Sequence, residues 1–201
     1  MLHGVRLKGL AEAVAVADLW LLDDGEVTSE LKALAADGLV QRRDGRVSGW
    51  SLTPEGRAEH DRLTAAEVAE AGVGPAVEDA YRRFLAINPE LLATCTAWQL
   101  KVSETGQAIN DHTDHLYDAE VVARLGAVDE RARPVLADLG QALAWFGRYP
   151  ERLGNALRRV QLGEAEWFTK PLLDSYHTVW FELHEDLLAT LGLQRGAEGR
   201  T

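Results

Sequence analysis

Cysteine is almost missing: Cys95 is the single one among 201 residues. An internal disulfide and a cysteine-based zinc site are therefore both excluded, and the chain suits a reducing cytoplasm. Lysine is scarce as well, with four against 17 arginines, and 32 acidic residues outnumber the 21 basic ones to leave a formal net charge of −11. Net charge of this sign does not attract nucleic acid. Any such contact needs a local basic patch, because neutralising phosphates with Lys and Arg supplies most of the affinity. Long apolar runs are lacking too. The stretch from Ala13 to Leu22 is broken by Asp18 and falls far short of the roughly 20 residues of a membrane span. Glu12 and Asp18 also interrupt what would be the apolar part of a signal peptide. Gly-x-Ser-x-Gly, phosphate-binding glycine loops and His-Glu-x-x-His do not occur, and Ser175 near His177 has no orientation for attack on a helix. An enzyme is accordingly the lesser expectation, and no cofactor is expected.

What is present places the chain among globular proteins, since 46% of the residues are hydrophobic and 26% charged. The pattern changes at Ala71-Gly72-Val73-Gly74-Pro75, where glycines and a proline interrupt two helical stretches. The expected organisation is a first domain over 1–72, a second over 73–193, and a frayed polar tail over 194–201. Of the 14 aromatic residues only Trp20 and Trp50 precede this boundary, so the second domain holds the bulky core. Neither half is basic, with 8 bases against 13 acids before residue 73 and 13 against 19 after it.

In the first domain, His3 to Leu10 and Glu12 to Ala17 have short helical patterns. Asp24 is a candidate N-cap for a third helix whose Val27, Leu31 and Leu34 share one face. Strands over residues 39–43 and 46–52 flank Asp44-Gly45, a strong hairpin signal. Thr53-Pro54-Glu55 then begins a linking helix. Three helices, a two-stranded wing and a linking helix make a winged helix-turn-helix, and the expected fold class is mainly α, with an all-α helical bundle following.

The run from Glu30 to Arg43, with Asp44-Gly45-Arg46 and Leu52-Thr53-Pro54-Glu55-Gly56-Arg57, resembles the third helix, wing and exit of MarR-like regulators over about the first third of the chain. Val5-Arg6-Leu7-Lys8-Gly9-Leu10 is similar to winged-helix segments that accompany pyruvate phosphate dikinase-like proteins in bacteria. The first resemblance implies a dimer reading double-stranded DNA. The second implies a protein partner that handles phosphoenolpyruvate.

In MarR-like docking the third helix enters the major groove and the wing touches the backbone. The outward face of that helix offers Ser29 and Lys32 with Glu26, Ala33 and Ala36, which gives no Arg, Asn or Gln for bidentate base contacts. Asp23, Asp24 and Glu26 gather at its start. The wing supplies Arg42, Arg43 and Arg46, and the first helix supplies Arg6 and Lys8. A solvated hairpin is the competing account of these charges.

For the second domain the expectation is helices over Ala76 to Ile87 and onward from Pro89, a polar loop from Ser103 to Thr113, and one or two helices over Tyr117 to Ala142. Further helix starts are expected at Pro150 and Pro171, the last helix carrying Leu172, Tyr176, Val179, Leu183, Leu187 and Leu191. Asp111, His112, Asp114, His115 and Asp118 are the candidates for a metal site, though loop satisfaction and helix capping explain them more simply. Trp145, Trp167, His177, Trp180, Phe181 and His184 are the candidates for a ligand pocket, with ordinary core packing the alternative. Cys95 is expected to be a buried small hydrophobe.

The leading expectation is a cytoplasmic, homodimeric transcriptional regulator without membrane contact, whose helical domain binds a small-molecule effector or dimerises. The alternatives are an accessory subunit that contacts protein through its winged helix, and a small metal-dependent enzyme.

Overall fold

The computed structural model describes residues 1–103 and 106–193, so the expected tail over 194–201 and residues 104–105 of the expected loop lie outside the described residues. The chain is mainly helical and its described residues divide into two compact units, one of residues 1–70 together with 188–193, the other of residues 71–187.

The first unit begins with α1 (Leu2–Lys8), α2 (Ala13–Trp20) and α3 (Asp24–Ala36), continues through β1 (Val40–Arg43) and β2 (Gly49–Leu52), and ends in α4 (Pro54–Ala71). Leu2 and Val5 of α1, Val16 and Ala17 of α2, and Val27 and Leu31 of α3 meet Val40, Trp50 and Leu52 of the hairpin in one apolar core, with Leu34 partly buried against it. The helix start is one residue earlier than expected. Asp23, not Asp24, is the N-cap, its Oδ1 accepting from the Glu26 amide at 3.0 Å, because an N-cap must keep extended backbone while its side chain bonds forward.

β1 and β2 pair antiparallel, Val40 opposite Leu52 and Arg43 opposite Gly49. Residues 44–48 therefore form a five-residue connection, longer than the two-residue turn that Asp44-Gly45 suggested. The reason lies outside the hairpin: Trp50 exchanges both backbone hydrogen bonds with Ala11, at 3.1 and 2.7 Å. A Cβ on Gly49 would sit only 2.7 Å from the Ala11 backbone, so this contact fixes where β2 begins. Leaving the hairpin, Thr53 caps α4 by accepting from the Gly56 amide at 2.9 Å while its hydroxyl donates to the Gly38 carbonyl at 2.7 Å. Gly56 packs on the Leu39 carbonyl, which a Cβ would overlap.

The second unit holds α5 (Gly74–Gln99), a hairpin of β3 (Leu100–Ser103) and β4 (Gly106–Ile109), α6 (His115–Ala142), a short 3-10 turn (Ala144–Arg148), α7 (Tyr149–Gln161), α8 (Glu166–Thr169) and α9 (Tyr176–Thr190) as far as Leu187. Three expectations are corrected. A helix break at Pro89 does not occur, because α5 runs through it, and α6 likewise runs through Pro134. A proline inside a helix costs about 3 kcal/mol, and here the buried stripe Phe84, Ile87, Leu91, Cys95 and Trp98 continues across Pro89 and outweighs it. Nor is the second unit all-helical: β3 ends at Ser103, where the expected loop begins, and β4 lies inside that loop, the two paired from Leu100 opposite Ile109 to Ser103 opposite Gly106. Finally, α9 starts at Tyr176 and not at Pro171, leaving Leu172 93% exposed in a turn.

Candidate nucleic-acid interface

Helices α2 and α3 are joined through Leu21, which takes left-handed backbone with φ 55°. On α3 the positions expected to face outward, Glu26, Ser29, Lys32, Ala33 and Ala36, are all exposed. Asp24 and Glu30 are exposed on the same helix, and Leu21 and Leu22 just before it are exposed at 94% and 48%. The start of α3 thus presents acid and leucine, a pairing that the sequence reading had registered only on its acidic side.

The basic residues fall into two classes. Arg42 is committed within the chain, donating to both carboxylate oxygens of Glu12 at 2.8 and 3.0 Å and lying 5.8 Å over the Trp50 ring. Glu12 flanks α2 without capping it through its side chain, which frees its carboxylate to reach the hairpin. Arg6, Arg43, Arg46 and Arg57, by contrast, pair with no carboxylate among the described residues. Arg6 from α1, Arg43 from β1 and Arg57 from α4 line one cleft of about 200 Å³ with Ser51 of β2. Sequence reasoning overlooked Arg57 and Ser51. No spacing links positions 6, 43, 51 and 57; the packing of α1 on the hairpin and the return of α4 onto Leu39 do. Lys8 lies in the last turn of α1, where a cation suits the negative helix end.

On α4, His60 is buried and stacks on His3 with ring centroids 5.2 Å apart. Its Nε2 lies 2.9 Å from His3 Nδ1, and its Nδ1 lies 2.9 Å from Asp61. Burial lowers the His60 pKa, against the raising effect of Asp61.

In the second unit the Asp/His cluster is held by its own hydrogen bonds. Asn110 donates to the Trp98 carbonyl and to Asp118 at 2.8 Å; His112 Nδ1 is 3.0 Å from the other Asp118 oxygen. Asp111 holds Thr113, and Asp114 caps α6 through the Tyr117 amide. His115 is exposed. Among the described residues no group of three or more His, Cys, Asp or Glu side chains is placed to hold a metal ion. The ring of His112 also lies 4.4 Å from Trp98, which stacks on Phe168.

The ligand-pocket candidates are dispersed through the packing. Trp180 is buried against Phe84 and donates to Asn88 at 2.9 Å. His184 lies beside Tyr81 and Phe84, Trp145 beside Phe146, and Trp167 under Arg159. Phe181 is 46% exposed, and burial lowers the pKa of His177. The crevice at Phe84, Ala132, Trp180 and Leu183 has no room for a water molecule. Cys95 is buried, which pushes its thiol up to about 12.

What the sequence reading missed here is a buried ionic network. Arg148 donates to Asp186 at 2.9 Å, Tyr149 donates to the same carboxylate at 2.7 Å, and Arg152 bridges Glu182 and Asp174. Burial, reinforced by Asp186, drives the Tyr149 pKa far up. Burial opposes the charge on Arg152, yet Glu182 and Asp174 outweigh it and raise its pKa. Tyr176 donates to buried Asp129, which Arg133 also binds. The available signal was the matched i, i+4 spacing of Arg148 with Arg152 and of Glu182 with Asp186.

No known family, curated protein or solved structure matches the chain. Among the described residues, no helix is long and apolar enough to cross a membrane.

Proposed function

We propose that residues 1–70 are a winged helix-turn-helix and that the protein is a cytoplasmic, homodimeric transcriptional regulator binding double-stranded DNA. In this reading α3 faces the major groove, the 44–48 connection is the wing, and the second unit dimerises or takes a small-molecule effector. The observation that carries it is the unpaired charge on the hairpin side. Among the described residues Arg43 and Arg46 meet no carboxylate, whereas Arg42, Arg62, Arg83, Arg131, Arg148 and Arg152 all do. The order α1, bridge at Ala11, α2, α3, β1, β2 supports the same reading, since the free edge of β2 is met by a one-residue bridge from Ala11, between α1 and α2. A two-fold dimer of this kind suits a palindrome whose half-sites lie about 34 Å apart or a multiple of that. The test is duplex binding across a salt series. Each phosphate contact contributes about 0.9 to the slope of log affinity on log salt, so replacing Arg43 and Arg46 together should flatten it by about two per subunit. An unchanged slope removes the wing from the interface.

A second reading has its own observation. Acidic Asp24, Glu26 and Glu30 beside exposed Leu21 and Leu22 suit a basic, partly apolar protein surface better than a phosphate backbone. The partner would then be a protein, with the phosphoenolpyruvate-handling enzyme of the sequence resemblance as the first to try. Genome-wide DNA recovery beside protein recovery from the same cells separates the two. Sharp palindromic peaks exclude the accessory role, and one stoichiometric partner without DNA enrichment excludes the regulator.

A further inference from the structure

The cleft lined by Arg6, Arg43, Arg57 and Ser51 combines three features that point to a missing ligand. First, three arginines from three separate elements line it, and no carboxylate residue does. Arg6 is offset by the negative end of α1, in whose last turn it sits; Arg43 and Arg57 have no such offset. Secondly, Ser51 is more than nine-tenths buried, and its Oγ has no hydrogen-bond partner. A buried hydroxyl left unmatched is destabilising, so nearly all such groups in folded proteins have a partner. Thirdly, the Arg6 Nε is buried and equally unmatched. Water would satisfy the two orphaned atoms but not the charge of the arginines.

We propose that this cleft is a binding site for a phosphate group. A tetrahedral oxyanion presents oxygens in several directions at once, which suits a cleft lined by arginines of α1, β1 and α4. A planar carboxylate would occupy one fork and leave the others unmet. The Ser51 hydroxyl is free to donate to one oxygen. The volume of about 200 Å³ equals the share of six or seven water molecules at about 30 Å³ each. It admits inorganic phosphate or the phosphate end of a small phosphomonoester, with Val5 and Leu52 as apolar wall. The same chemistry is offered by a phosphodiester of a DNA backbone, and the site stands whether or not the protein binds DNA.

The experiment is a titration of the full chain with inorganic phosphate and with glycerol phosphate at constant ionic strength, with chloride as reference. Thermal unfolding and amide shifts near Ser51 are followed for the wild type, Arg57→Gln, Arg43→Gln and Ser51→Ala. Arg43 and Arg57 are exposed, and Ser51 Oγ bonds to nothing, so these changes leave the fold intact. The general salting effect of phosphate is common to all four proteins and cancels in the comparison. A saturable response is expected in the wild type, with half-saturation raised about tenfold in each arginine variant and at least threefold in Ser51→Ala. A non-saturating response, or one equal in all four proteins, overturns the site. A labelled duplex then identifies the source of the phosphate. Displacement of the duplex by added phosphate, with weaker duplex binding by Arg57→Gln, assigns the cleft to a backbone phosphodiester. Saturable phosphate binding without such displacement, or in a protein that binds no duplex, assigns it to a free small ligand and leaves the cleft established.

Discussion

Arginine is used in opposite ways in the two units. In the second, Arg148 and Arg152 are largely buried and sit between Asp186, Glu182 and Asp174, so their charge is consumed in joining the 3-10 turn and α7 to α9 and the residues just before it. In the first, Arg6, Arg43, Arg46 and Arg57 have no carboxylate partner among the described residues, although that unit contains more acids than bases. Paired charge that is hidden from water holds a fold together. Unpaired charge near the surface costs the fold little and stays available to something outside it. The same residue type is thus tied down at some positions and left available at others, as Arg42 on Glu12 beside unpaired Arg43 also shows, and position decides which.

The sharpest way to break this contrast is Asp186→Ala. Removing Asp186 takes from Arg148 a buried carboxylate at 2.9 Å and from the Tyr149 hydroxyl its acceptor, and about 3–5 kcal/mol of stability should be lost in denaturant unfolding. A loss below about 1 kcal/mol would place the network with ordinary surface pairs. Next is Gly56→Ala, which forces a Cβ into the Leu39 carbonyl. It should cost about 1–3 kcal/mol, as overpacking does, and should disperse the arginine cleft by moving α4. Unchanged unfolding together with an unchanged phosphate response would show that the contact of α4 with Leu39 is not what assembles the cleft.

Replacing Arg43 and Arg46 by Ala should leave stability within about 0.5 kcal/mol while reducing the salt slope of duplex binding by about two. Arg42→Ala should alter that slope far less, because Glu12 already occupies its guanidinium. Equal effects of the two changes would show that ion pairing within the chain does not decide which arginines are available.

The histidines sharpen the comparison by pH. Burial lowers the pKa of His60 in the first unit and of His177 in the second. The unfolded chain then takes up protons at a higher pH than the folded one. The stabilising contribution is present above about 6.5 and is lost as pH falls below it toward the folded value. His60→Gln should flatten the unfolding profile between pH 7 and 5, and an undiminished slope would assign the acid sensitivity elsewhere. The smallest effect is expected from changing Asp23, Asp24 and Glu26 to Asn, Asn and Gln. Asn keeps the cap, and removing the acids should raise non-specific duplex affinity modestly. If these changes instead weaken capture of a protein partner and do not alter duplex binding, the accessory reading gains.

The α3 pattern, the Thr53 cap and the burial of Cys95 were legible in the sequence because each depends on residues within a few positions of one another. The expected outward face of α3 is exposed throughout for the same reason: helical period alone settles it. The five-residue connection at 44–48 was not legible, since it follows from Ala11 meeting Trp50 across 39 positions. Nor was the continuity of α5 through Pro89, where packing overrides a local penalty. Of the candidate site, the wing arginines could be named from the hairpin signal, but not which of them is tied down.

By itself the sequence determined the mainly helical class, a hairpin at 40–52, the change of pattern near residue 72, and an acidic balance that confines any anion contact to a patch. Local periodicity, turn chemistry and charge are properties of neighbouring residues and need no partner to be read. Only the tertiary structure decided that Arg42 is spent on Glu12 while Arg6, Arg43 and Arg57 share a cleft with Ser51, and that Asp186 is buried between Arg148 and Tyr149. The strength of a charge depends on its surroundings and on what lies within a few ångströms, and chain folding alone sets that distance between residues dozens of positions apart.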